Sequence, residues 1–125
     1  MNKQAKAVRD GKVAVLISPR FGPGWSTRRD NARHRMWCLY APEVVAWVEA
    51  GKPGWVMRVQ ELAHAHSGED AADCSAGMDL EIEWLPIGTK FRVTEYDGLE
   101  EVELADDIEW DIASAEPVQA AEGDA

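Results

Sequence analysis

Residues 80–104 read LEIEWLPIGTKFRVTEYDGLEEVEL. Leu80, Ile82 and Trp84 alternate with Glu81 and Glu83, the period-two pattern of a strand with one buried and one acidic face. Pro86-Ile87-Gly88 marks a tight reversal, and Phe91 and Val93 then alternate with Arg92 and Thr94 in a second strand. Asp97-Gly98 suits a two-residue hairpin, whose central residues both need positive φ, and Val102 and Leu104 carry the returning strand. Ile108, Trp110 and Ile112 alternate once more with Glu109 and Asp111, which predicts a last strand packed on the same face. Together these segments predict a C-terminal antiparallel β-meander.

Towards the N-terminus, Val13-Ala14-Val15-Leu16-Ile17 is a short β-branched run that reads as a buried strand stopped by Ser18-Pro19. The stretch from Arg20 to Thr27 carries Gly22, Pro23 and Gly24 and predicts a structured loop. A polar, basic stretch from Arg28 to Arg35 continues it, and Met36 to Tyr40 reads as a second short strand. Pro42 opens a helix whose Val44, Val45, Trp47 and Val48 share a face and which Gly51 can close. Ala41 is a weak cap for it, costing about 1 kcal/mol relative to Asp or Ser. Trp55, Val59, Leu62, Ala63 and His66 follow helical spacing and predict a second helix ending near Gly68, with strand as the alternative. Residues 67–77 are small, acidic and turn-rich, as in a surface loop. The expected architecture is α+β: a short N-terminal strand and glycine-rich loop, one or two helices, then the meander. Residues 1–12 read as a flexible basic arm, 13–113 as a single domain and 114–125 as a disordered acidic tail.

The length of 125 residues and the 46% apolar content suffice for one core without disulfide staples. No run approaches the roughly 18 apolar residues of a membrane span, and Met1 to Asp10 lacks an apolar signal core. Cys38 and Cys74 form no CxxC motif, so a reduced, cytoplasmic setting is expected. The charge is divided unevenly. Residues 1–60 hold 11 Lys/Arg and 4 Asp/Glu, and residues 61–125 hold only Lys90 and Arg92 against 19 Asp/Glu, so balances of +7 and −17 make up the net −10. An acidic surface repels nucleic acid and anionic membranes and attracts cationic protein. The competing reading is that the basic half folds against the acidic half and neutralises it.

Two blocks resemble a family of small uncharacterised proteins of bacteriophages and mobile elements. One is Ile17-Ser18-Pro19-Arg20-Phe21-Gly22-Pro23-Gly24-Trp25-Ser26-Thr27; the other runs from Ile82 through Trp84-Leu85-Pro86-Ile87-Gly88-Thr89-Lys90-Phe91-Arg92 to Glu95-Tyr96-Asp97-Gly98, followed by Asp106-Asp107-Ile108-Glu109-Trp110. The resemblance implies an origin and a shared fold, and no activity. Arg20, Pro23 and the basic run after Thr27 depart from the familiar pattern.

Four kinds of chemistry bear on these residues. The loop bearing Arg20, Phe21, Gly22, Gly24, Trp25, Ser26, Arg28 and Arg29 combines exposed amides, guanidinium forks and aromatic faces, which suit an anionic or nucleotide ligand. It has neither the P-loop ending nor the dinucleotide spacing, and the alternative is that Phe21 and Trp25 plug the core edge while the arginines pair with the acidic sheet. His34, Cys38, His64, His66 and Cys74 are the metal-capable side chains, but zinc needs four converging groups and Cys38 sits in an apolar run as a small hydrophobe would. No metal, cofactor or catalytic residue is therefore assigned, since no nucleophile stands beside an oriented base. Glu81 and Glu83, about 7 Å apart, suit a solvated strand better than acid–base work. The remaining candidate is the acidic surface of Glu81, Glu83, Glu95, Asp97, Glu100, Glu101, Glu103, Asp106, Asp107 and Glu109, whose expected partner is a basic protein surface of a host complex, without direct nucleic-acid or membrane contact. Six tryptophans favour contact-forming surfaces as well as core. Oligomeric state is not legible in the chain.

Overall fold

The computed structural model describes residues 3–29, 31–67, 74–115 and 117. Strands β1 (Val8–Arg9) and β2 (Lys12–Ile17) fold back on each other through Asp10-Gly11, both at positive φ. β2 also pairs antiparallel with β3 (Glu81–Pro86), from Lys12↔Pro86 to Ile17↔Glu81, in the order β1-β2-β3. β4 (Phe91–Tyr96) and β5 (Leu99–Leu104) form a second, two-stranded sheet around Asp97-Gly98. Three helices lie in sequence between β2 and β3, two neighbours of the first sheet: α1 (Ala32–Tyr40), α2 (Pro42–Glu49) and α3 (Trp55–Ser67). The class is α+β with antiparallel C-terminal strands, and β3 takes β2, not β4, as its hydrogen-bonded neighbour.

β2 is the centre of the molecule. Ala14 and Leu16 face a core with Trp25, Trp37, Val44, Val45, Trp47, Val59 and Leu80, which the helices close. Val15 and Ile17 face the other way, onto Leu39, Tyr40 and Leu85 and the inner face of the β4–β5 hairpin, Phe91, Val93, Val102 and Leu104. Burial on both faces explains why β2 is a continuous apolar run and does not alternate.

The helices follow from their ends. Asn31 caps α1, its side chain accepting from the His34 amide. Ala41 ends α1 and begins α2 with extended backbone, because the residue before a proline disfavours helical geometry. Gly51 and Lys52 donate to the Val48 and Trp47 carbonyls and close α2 in a Schellman motif. No helix among the described residues is long and apolar enough to cross a membrane.

Four expectations are corrected. Residues 7–12 are no free arm: the Ala14 amide donates to the Ala7 carbonyl, and Arg9 lies over Trp84 and grips Glu49 with both guanidinium nitrogens. The Asp10-Gly11 turn has the same chemistry as Asp97-Gly98 and makes a hairpin for the same reason. Met36 to Tyr40 is the end of α1, buried on nearly all sides and therefore without amphipathic period. The expected strand at residues 108–112 does not form: a 3₁₀ turn (Ala105–Asp107) redirects the chain, and the hairpin's inner face is already closed by Val15, Ile17, Leu39 and Tyr40. Residues 74–77 are no surface loop, since Cys74, Ala76 and Gly77 are buried around a 3₁₀ turn (Ser75–Asp79). The rest of that expected loop, residues 68–73, and most of the expected tail, residues 116 and 118–125, lie outside the described residues.

Candidate functional site

The carboxylates of the acidic half are dispersed over several surfaces. Glu81 and Glu83 are exposed on β3, an edge strand, on the side that Val15 and Ile17 occupy on β2. Glu101 and Glu103 share the outer face of the hairpin with Arg92, which pairs with Glu103 at 2.9 Å. Glu95 and Asp97 sit at its turn, where Glu95 accepts from the Gly98 amide. Asp106, Asp107 and Glu109 follow β5 and are exposed. Because β3 and β4 are not neighbours, these groups do not form the continuous ladder that a three-stranded meander predicts.

The early basic residues go elsewhere. Arg9 pairs with Glu49 at 2.6 Å and Arg20 with Asp79 at 3.8 Å. Lys6 lies over Tyr40, and Arg29 over Trp25. Arg28 donates to the Pro23 carbonyl and lines a shallow cleft with Glu95 and Asp97, so some positive charge stands at the hairpin turn. Lys52 donates to the Met78 carbonyl and lies near Asp79 and Glu81; burial lowers its pKa against the pull of those acids.

Glu100 is the exception in the acidic set, being fully buried. Its Oε1 accepts from the Ser18 amide at 2.9 Å, and its Oε2 accepts from the Trp25 and Thr27 amides at 2.8 and 3.0 Å and from the Thr27 hydroxyl at 2.6 Å. The Glu100 amide donates in turn to the Ser18 carbonyl at 2.8 Å. Four donors on two oxygens satisfy a carboxylate in full. The glycine-rich loop is thus an anion-binding nest whose anion is supplied from within the chain. A signal was present in the sequence: counting back by twos from Leu104 and Val102 puts Glu100 on the inward face.

The other loop candidates divide accordingly. Trp25 is buried, its indole donating to the Cys38 carbonyl, and Gly24, Ser26 and Arg29 are also buried. Phe21 is 63% exposed and meets Tyr96, itself 76% exposed, edge to face. Gly22 rests on the hairpin turn: its amide donates to the Asp97 carbonyl, and a Cβ on Gly98 would lie 1.5 Å from the Gly22 oxygen. Only glycine fits there, on space as well as on its φ of +86°. Phe21 lies outside the core edge it was expected to plug, so Trp25 alone does the plugging, and Arg20 pairs with Asp79, in the 3₁₀ turn before β3.

The histidines and cysteines also part company. His66 stacks on Trp37 at 5.2 Å and on His34 at 5.8 Å, while His34 meets the Ser67 hydroxyl and His64 is exposed. Cys38 and Cys74 are buried thiols, and Arg29 donates to the Cys38 sulfur. Burial pushes the Cys38 thiol up to about 11, against the Arg29 charge, so it does not act as a thiolate nucleophile near neutrality. Among the described residues no three metal-capable side chains gather. An open groove of about 830 Å³ runs past Lys3, Arg33, Trp37, Glu43 and His66.

Among known proteins, no family model matches this chain, and no curated protein or solved structure matches it.

Proposed function

We propose that this chain acts by binding and not by catalysis: a cytoplasmic protein of bacteriophage or mobile-element origin that occupies a cationic protein surface on a host defence or nucleic-acid-processing complex. One observation carries this reading. Among the described residues Glu81, Glu83, Glu95, Asp97, Glu101, Asp106, Asp107 and Glu109 are exposed and outside any ion pair, while the half-buried Glu103 pairs with Arg92. Exposed like charge at this density steers a basic partner into contact and sets its orientation. Capture of a nucleotide by the glycine-rich loop is less well supported, because Glu100 already takes the Ser18, Trp25 and Thr27 amides.

Affinity capture from carrier cells with mass spectrometry identifies the partner, and a salt titration then tests the contact. Binding falls steeply with ionic strength, the combined variant Glu101→Lys, Asp106→Lys and Asp107→Lys abolishes it, and Arg20→Ala with Arg28→Ala leaves it in place. The reverse pattern, with inorganic phosphate bound by the wild type and lost in the arginine variant, would favour the loop instead.

A further inference from the structure

Residues 108–112 are written as a strand and left without a sheet. Ile108, Trp110 and Ile112 fall on one side of an extended chain and Glu109 and Asp111 on the other. Ile108 has extended backbone, with φ −88° and ψ 124°. Its amide reaches back to the Ala105 carbonyl, but among the described residues 109–113 make no backbone hydrogen bond at all. Trp110 is 69% exposed and Ile112 is 85% exposed. A segment with open backbone donors and acceptors, large apolar groups at alternate positions and carboxylates between them has the sequence of a peptide that joins the edge of another sheet.

We infer that residues 108–112 are a docking strand that adds to an exposed sheet edge of a partner protein, with Trp110 and Ile112 entering apolar pockets and Glu109 and Asp111 facing lysines or arginines beside that edge. This inference rests on the binding function proposed above and names its point of attachment. Charge decides the occupant. Of the chain's own edge strands, β3 presents Glu81 and Glu83, Arg9 on β1 is held by Glu49 and Arg92 on β4 by Glu103, and the whole chain carries −10, so a second copy would bring like charges together. A cationic edge removes that repulsion and satisfies the free backbone.

The test uses the full chain and two capped peptides of equal charge, one of alternating lysine and valine, the other of alternating lysine and proline. Both satisfy the carboxylates, but only the first offers a sheet edge, because proline has no amide hydrogen. The full chain binds the lysine–valine peptide at least about tenfold more tightly than the lysine–proline peptide. That advantage disappears in the Trp110→Ala, Ile112→Ala double variant and in Asp111→Pro, which removes one backbone donor from a segment that pairs with nothing in the free chain. Trp55→Ala, at an equally exposed tryptophan (74%), leaves it intact. Equal, salt-sensitive binding of both peptides overturns the docking strand and leaves the carboxylate reading standing; binding of neither overturns both. Amide-exchange protection of residues 109–113 in the free chain, or self-association that the double variant abolishes, shows that the segment is already covered and also overturns the inference.

Discussion

Glu100→Ala would strip the acceptors from the Ser18, Trp25 and Thr27 amides and the Thr27 hydroxyl. Each stranded buried donor costs about 1–3 kcal/mol, against a typical total stability of about 5–15 kcal/mol. The urea midpoint of this variant therefore falls by roughly half or more, and a midpoint unchanged from wild type would show that the loop does not depend on this side chain. His66 gives a second test at the same scale. Burial, the Arg33 charge and His34 hold its pKa below the ordinary 6.5, with Glu43 opposing and Trp37 stacked on the ring. As pH falls below 6.5 the unfolded chain takes up this proton before the folded one, so this group's contribution to stability is complete above 6.5 and is lost on acidification down to the folded-state value. His66→Phe keeps the stack on Trp37 and removes that component. Urea midpoints measured on either side of 6.5 should converge in the variant relative to wild type, and parallel pH profiles would count against the assignment.

At the scale of elements, α1 is where sequence and structure differ most. Its cap is Asn31, so Asn31→Ala lowers stability by about 1 kcal/mol, readable as a shift in denaturant midpoint at unchanged slope. A neutral result would mean that the helix is held by packing alone. The elements with a strict period were legible in the chain: β3 and β4 by alternation, α2 by its proline start and glycine stop, α3 by helical spacing. α1 was not, because Trp37, Cys38, Leu39 and Tyr40 are all buried and a helix end sunk in the core loses the pattern that distinguishes it from a strand. Pairing was illegible for another reason. Alternation says that a strand has two faces but not which strand lies beside it, and β3 joins β2 across some seventy residues while β4, next in sequence, turns away. The site was legible in part. Exposed carboxylates could be counted from the sequence, but the inward turn of Glu100 required the phase of β5 to be followed one step past Val102.

For the whole molecule, the uneven division of charge makes a prediction of its own. With Arg9 engaged on Glu49 of α2 and most of the carboxylates exposed and unpaired, like-charge repulsion opposes folding, so the melting temperature rises as salt is added at neutral pH. A melting temperature that falls with salt would mean that attraction between the two halves dominates. The tie between Ser18 and Glu100 also bears on how the chain comes into being. It joins residues 82 positions apart, and during synthesis the amides of Ser18, Trp25 and Thr27 leave the ribosome long before the side chain that receives them. The first half gains its β3 neighbour only once residues 81–86 have been made, and its carboxylate only with Glu100. A product that stops short of Glu100 therefore lacks the acceptor for those amides and the hairpin that covers Val15 and Ile17, and is open to proteolysis.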